Sequence, residues 1–163
     1  MNAHDALKMT MGMADFVGLA YLDDLTDAEF MRRAAPGINH INWQVGHLIL
    51  SENQMLNGIA SGSMPALPVG FAEKYSRDTV GVDDPEAFCK KAELLSIFKL
   101  QRAGTKAALD RMCAEDLDKP SPESYQKYAP TYGAVFELQG SHWLMHCGQW
   151  AVVRRQLGKP ALF

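Results

Sequence analysis

The sequence predicts an all-α protein, specifically a four-helix bundle, on three observations. Apolar residues recur at three- and four-residue steps in four long segments, which is the period of an α-helix. The alternation that is typical of β-strands is absent. Helices that each carry one apolar stripe cannot bury those stripes separately, so we expect the four to pack together. Because 163 residues are the size of one domain, we assign residues 1–163 to a single domain.

The first long helix is predicted from Asp5 to Leu22, where apolar residues keep the helical period. Thr26 followed by Glu29 has the spacing of a capping box, in which the two side chains bind each other's backbone N–H groups. We therefore expect a short helix that begins there and runs to about Arg33.

The second and third long helices lie before and after the middle of the chain. The second is predicted over Asn39–Ile59, with Asn39 or His40 at its start. The third is predicted from Asp84-Pro85-Glu86 to about Cys113. Proline at the first helical position has the backbone angle that a helix needs, and acidic side chains there complement the helix dipole.

Residues 60–84 form a long predicted connection between these helices. They are rich in proline and glycine and show neither the helical nor the strand period. In compact domains, connections longer than about 12–15 residues are usually functional or disordered. Two expectations stay open, that this segment covers a site and that it is a tolerated insertion.

Composition and charge exclude several classes of protein. The net charge is −3, and the 16 basic and 19 acidic residues are spread along the chain, so no nucleic-acid partner is expected. Three cysteines without a CxxC motif do not make a disulfide framework and are typical of a reducing compartment. No signal-peptide pattern is present, and no apolar run approaches about 18 residues. We predict a soluble, cytoplasmic protein without a membrane partner.

The fourth long helix carries the first candidate metal ligands. It is predicted from Thr131, which caps it, through Arg155. His142 and His146 lie four residues apart and so share one face of this helix. Neutral imidazole binds zinc, nickel, copper or iron well. His47, on the second long helix, completes a three-imidazole site with open coordination positions if the two helices are neighbours. The alternative for each histidine is a hydrogen-bonded core residue.

Further residues near these histidines have two interpretations. Gly46, Gly140 and Gly148 lie inside helices, where glycine costs about 1 kcal/mol relative to alanine, so a close approach to the backbone is expected. Glu52 points to another face than His47 and is expected to form an ion pair with a neighbouring helix. Four polar residues are expected either to line the cavity or to form hydrogen bonds between helices: Ser51, Gln54, Gln139 and Gln149.

Two segments resemble the hallmark blocks of the DinB-like superfamily. The first is residues 35–48 with Glu52, and the second is residues 142–149 with the Arg154-Arg155 pair and residues 157–159. Residues 68–75 resemble the loop of that family. The resemblance implies a bundle of up-down-down-up topology and a divalent metal ion, zinc or nickel, held by three histidines. Position by position, these ligands fall on His47, His142 and His146.

The chemistry expected at such a site depends on the metal. Trp143 follows His142 where the HExxH proteases have glutamate, so a protease is not expected. A bound ion lowers the pKa of water to about 7 or keeps a thiol as a thiolate. The resemblance favours the thiol, because members of the superfamily include S-transferases and isomerases that use low-molecular-weight thiols.

The predicted function is that of a metal-dependent thiol S-transferase or hydrolase that acts on a small molecule. The alternative is a non-catalytic metal-binding bundle for stress response or interaction, and the resemblance also implies a homodimer. No basic pocket for an acidic thiol is recognised, because the basic residues can simply be solvated: Arg32, Arg33, Lys74, Arg77, Lys90 and Lys91.

Overall fold

All four predicted long helices form in the computed structural model, which describes residues 1–163. The helices are, in chain order, α1 (Ala3–Asp23), α2 (Asp27–Phe30), α3 (Ile41–Ile59), α4 (Phe71–Lys74), α5 (Lys91–Asp110), α6 (Ala114–Leu117) and α7 (Tyr132–Gln156). Two 3₁₀ turns, Arg77–Thr79 and Pro85–Ala87, interrupt the connection before α5. No β-strand is present, and the all-α prediction is confirmed.

Local hydrogen bonds explain where α2 begins and ends. The predicted capping box is present before α2, where the Glu29 N–H donates to Thr26 Oγ1 at 3.2 Å and the Thr26 N–H donates to the Glu29 carboxylate at 2.7 Å. This helix ends at Phe30 rather than at Arg33, because the next N–H groups bond carbonyls three residues back and tighten the turn.

His40, and not Asn39, caps α3. Its buried ring accepts a hydrogen bond at Nδ1 from the Trp43 N–H, at 3.0 Å, and its Nε2 donates to the Val82 carbonyl oxygen at 3.2 Å. Because both ring nitrogens are used, His40 ties the start of α3 to the connection that precedes α5.

The predicted start of the third long helix is wrong. Asp84 caps only a 3₁₀ turn, accepting from the Glu86 N–H at 3.0 Å, and α5 begins at Lys91. The residues between are extended because side chains from elsewhere bind the backbone of Cys89. Asn42 Nδ2 donates to its carbonyl at 2.8 Å, and its N–H donates to the Tyr75 hydroxyl at 3.0 Å. The helix also ends earlier than predicted, at Asp110.

The helices that carry the histidines are neighbours. The most extensive helix pair is α1 with α7, while α3 packs against both α5 and α7, and α1 contacts α5. Glycines allow the close approach of α1 and α7, since a Cβ atom on Gly18 would lie 1.7 Å from Trp143 Nε1 and one on Gly140 would lie 2.9 Å from Thr10 Cγ2. The up-down-down-up order stays a prediction.

A buried polar layer divides the hydrophobic core into two clusters. Glu52 of α3 accepts hydrogen bonds from Arg102 at 2.9 Å and from the Thr105 hydroxyl at 2.5 Å, both on α5. Arg102 also binds Asp15 of α1 at 2.8 Å and the carbonyl oxygen of Gln139 of α7 at 3.2 Å. The ion pair predicted for Glu52 is confirmed, and it belongs to a network that joins all four long helices.

The connection over residues 60–84 packs on α3 and contains α4 and a 3₁₀ turn. Tyr75 lies against Gly46, where a Cβ atom would be 2.1 Å from its ring, and its hydroxyl donates to Asn42 Oδ1 at 3.1 Å. The glycine therefore makes room for this ring. None of the helices has the length and hydropathy that crossing a membrane requires.

Candidate metal centre

The structure brings together the three predicted ligands. His47 of α3 and His142 and His146 of α7 place one ring nitrogen each within 4.8 Å of the others. Their ring centroids are 5.4 Å apart for His47 and His142, 6.1 Å for His47 and His146, and 5.2 Å for the α7 pair. All three side chains are partly buried, so solvent reaches the cluster.

The cluster fits a single divalent ion. Zinc binds imidazole nitrogen at about 2.0–2.1 Å, so two nitrogens on one ion lie at most about 4 Å apart. The observed limit of 4.8 Å is within reach of small side-chain rotations. Three neutral nitrogen donors are also the ligand type that zinc and nickel accept.

Gln44 fixes the hydrogen position on His146. Its Nε2 group donates to the Asn39 carbonyl at 2.6 Å and to Gln149 Oε1 at 2.7 Å, which orients the amide. Its Oε1 accepts from Trp150 Nε1 at 2.7 Å. Because that oxygen only accepts, His146 Nδ1, 3.1 Å away, carries the hydrogen. The lone pair of Nε2 is therefore the one that His146 offers to a metal.

Burial keeps the three imidazoles in the neutral, metal-binding form. Loss of hydration lowers the pKa of His142 and of His146 to about 4, and the neighbouring histidines add to the effect. The pKa of His47 is also lowered, first by burial and then by the positive charge of Arg77. The three imidazoles therefore carry few protons that a metal ion would have to displace at neutral pH.

Trp43 orients His47. The two rings are stacked, with centroids 5.0 Å apart and an interplanar angle of 8°. The indole N–H donates to Thr79 Oγ1 at 3.0 Å and to the Ser76 carbonyl at 3.2 Å. The connection before α5 therefore fixes the position of the Trp43 ring, and stacking on that ring fixes the orientation of the His47 imidazole.

Two cavities share His47 and Ser51 as wall residues. The first, which we call the Arg77 cavity, has a volume of about 390 Å³ and is also lined by Gln54, Tyr75 and Arg77. The second, the Met145 cavity, has a volume of about 480 Å³. It is further lined by Met55, Tyr128, Leu138, His142 and Met145. No aspartate or glutamate lines either cavity.

Comparison with known protein families gave one match. The family model described as the DinB superfamily matches residues 18–150. The chain belongs to the DinB superfamily. No curated protein and no solved structure matches it.

Four polar residues of this DinB-superfamily chain were expected either to line the cavity or to form hydrogen bonds between helices, and the structure shows both. Ser51 and Gln54 line the cavities, as expected. Gln139 is buried and donates to the Val135 carbonyl at 2.7 Å, and Gln149 binds Gln44. These two therefore form hydrogen bonds within or between helices.

Two further histidines lie outside the cluster. His4 binds the Met112 carbonyl at 2.9 Å and His40 caps α3, so neither joins the site. Cys147 is buried, whereas Cys113 is exposed. A Cβ atom on Gly148 would meet no close neighbour, so the expectation of a close approach there is wrong.

Proposed function

We propose that this DinB-superfamily protein is a metal-dependent thiol S-transferase that acts on a small molecule. His47, His142 and His146 would hold the ion, zinc or nickel. The observation that carries the proposal is the position of three neutral imidazoles beside two cavities. Three protein ligands leave at least one coordination position for a reactant.

The residues of the chain prepare the site in three ways. Burial keeps the imidazoles neutral, Gln44 presents the Nε2 lone pair of His146, and Trp43 stacks on His47. A divalent ion held there supplies one effect, a lowered pKa of a bound thiol, which makes the thiolate available at neutral pH.

The absence of carboxylates from both cavities favours sulfur transfer over hydrolysis. Hydrolysis is assisted by a side chain that moves protons between water and the leaving group. Glu52, the buried carboxylate of α3, is held by Arg102 and Thr105 instead. In thiol transfer, the thiol releases its proton to solvent, sulfur bonds to the electrophilic carbon, and the leaving group departs with the electron pair of its bond.

A purely structural metal site is the weaker alternative. Structural zinc sites usually have four protein ligands, whereas only these three histidines form the cluster. Cobalt-substituted protein tests the difference, since an open site changes its visible spectrum when a thiol is added. A spectrum that no thiol alters would favour a structural role.

Metal content tests the ligand assignment. The protein, produced without a histidine tag, is expected to hold stoichiometric zinc or nickel by plasma mass spectrometry, and His47→Ala to lose most of it. His4→Ala, which lies outside the cluster, is the matched control and should keep it. Stoichiometric metal in His47→Ala would refute the assignment.

A further inference from the structure

The two cavities at His47 differ in charge, and the proposed transfer requires two reactants. His47 and Ser51, one turn apart on α3, line both cavities. A molecule in either cavity therefore lies beside the imidazole that would hold the ion.

The Arg77 cavity contains a cation without a partner. Arg33, Arg102 and Arg154 form ion pairs. Arg77 is exposed and forms none, as is also the case for Arg32, Arg111 and Arg155. The carboxylates of Glu73 and Asp78 lie outside this cavity, in an adjoining surface depression that shares Ala72 and Ser76 with it.

No carboxylate in the walls of this cavity balances the positive charge of Arg77. Three neutral imidazoles bring no negative charge to a divalent ion, and neither cavity contains a carboxylate. A guanidinium group binds a carboxylate with two parallel hydrogen bonds, and the Gln54 amide in the same cavity offers a further donor. The charge of this cavity therefore fits an anion.

The Met145 cavity has mostly apolar walls and no arginine or lysine among them. Its walls beyond His47, Ser51 and His142 are two methionines, a leucine and a tyrosine. Met145 is 64% exposed and Tyr128 57% exposed at its rim. Methionine side chains adapt to ligands of irregular shape and contact aromatic rings favourably. This cavity therefore fits an apolar group.

We propose that the Arg77 cavity binds the carboxylate of an anionic thiol and that the Met145 cavity binds the apolar electrophile that receives its sulfur. This assignment rests on the proposed S-transferase function. It makes Arg77 the residue that selects the thiol and Met145 a residue that selects the electrophile. Each cavity, at about 390 and 480 Å³, has the size of a small-molecule site.

Thiol binding tests the Arg77 half of the proposal. The probes are 3-mercaptopropionate and its methyl ester, which have the same thiol and differ in the negative charge, titrated calorimetrically into zinc-loaded protein. We expect the acid to bind about tenfold more tightly than the ester. Arg77→Gln should abolish this preference without changing the affinity for the ester, and Arg111→Gln, at the end of α5, should keep it.

The outcomes separate this proposal from the proposed function. Equal binding of acid and ester, or a preference that Arg77→Gln retains, overturns the assignment of Arg77 and leaves S-transfer standing. Failure of both thiols to bind contradicts the proposed function, and the cavity assignment falls with it.

Two-substrate kinetics test both halves together. With 3-mercaptopropionate and 1-chloro-2,4-dinitrobenzene, a sulfur–carbon bond forms and chloride leaves with its electron pair. Arg77→Gln should raise the KM for the thiol about tenfold and Met145→Gln that for the electrophile about fivefold, each leaving the other KM unchanged. Val152→Gln, an exposed apolar position of α7 outside both cavities, is the control. If both variants raise the same KM, the division is wrong.

Discussion

A single amide, that of Gln44, decides which nitrogen His146 presents. Its oxygen accepts from both Trp150 and His146, and its amide hydrogens are used by Asn39 and Gln149. Gln44 lies within residues 35–48, the block that resembles the DinB-like superfamily, but that resemblance assigned it no role. It is also a polar side chain within the apolar pattern of α3, three residues before His47.

Gln44→Ala should weaken zinc binding about 10–100-fold, because His146 loses the partner that fixes its hydrogen. A chelator competition assay measures the affinity. Gln149→Ala removes only one hydrogen bond from the Gln44 amide, so its effect should be smaller. Unchanged affinity in Gln44→Ala would show that the ring is oriented by other contacts.

The stability of the protein should depend on pH through His40. Burial, together with the charge of Arg33, lowers its pKa from 6.5 to about 4. Between these values the unfolded chain binds the proton and the folded chain does not. The free energy of unfolding therefore rises with pH over this range and loses this contribution as pH falls towards about 4.

His40→Asn keeps a side chain that can cap α3 but removes the titrating ring. Urea unfolding of the zinc-free proteins should show a smaller slope of stability against pH in this variant than in the wild type. The three clustered histidines titrate in both proteins and cancel in the comparison. Equal slopes would contradict the assignment.

At the scale of elements, glycine sets how closely α1 and α7 pack. Gly18→Ala would place its Cβ atom 1.7 Å from Trp143 Nε1, so one helix must shift. We expect a loss of about 1–3 kcal/mol in the free energy of unfolding. Gly12→Ala on the same helix meets open space and should stabilise by up to about 1 kcal/mol. If both variants lose stability equally, the contact is not the cause.

Elements with a local cause were predictable from the sequence, and those set by distant contacts were not. The capping box at Thr26 and the cap of α7 at Thr131 are local signals, and both predictions were confirmed. The delayed start of α5 depends on Asn42 and Tyr75 binding the backbone of Cys89, which no local pattern indicates.

The same distinction applies to the site. The spacing of His142 and His146 predicted a shared face. His47 was predicted to complete the site if its helix were a neighbour, and the resemblance assigned it as a ligand. The hydrogen bond from His146 to Gln44 forms only because α3 and α7 are in contact. Arg77 lines the cavity beside His47 only because the connection before α5 folds against α3. Neither contact could be predicted from a local pattern. The sequence alone offered only solvated side chains as the interpretation of the basic residues.

At the scale of the whole molecule, the polar layer around Arg102 joins all four long helices. Its side chain is 3% exposed and that of Glu52 is 4% exposed. Arg102→Met leaves this carboxylate buried without its cation, where burial already raises its pKa. Unfolding in urea should show a loss of about 3–5 kcal/mol.

Lys106→Met is the matched control, because Lys106 binds the same Asp15 at 3.0 Å but is 40% exposed. We expect it to change stability by less than about 1 kcal/mol. A small effect in both variants would mean that the layer contributes little to stability. The implied homodimer and the up-down-down-up order stay predictions.

X-ray absorption at the zinc edge tests the central claim, a three-histidine metal centre open to a thiol, most directly. The zinc-loaded protein should show imidazole nitrogens at about 2.0 Å, and 3-mercaptopropionate should add one sulfur at about 2.3 Å. The imidazole signal should diminish in His47→Ala. A complete shell of protein ligands that the thiol leaves unchanged, or an unaltered spectrum in His47→Ala, would contradict the claim.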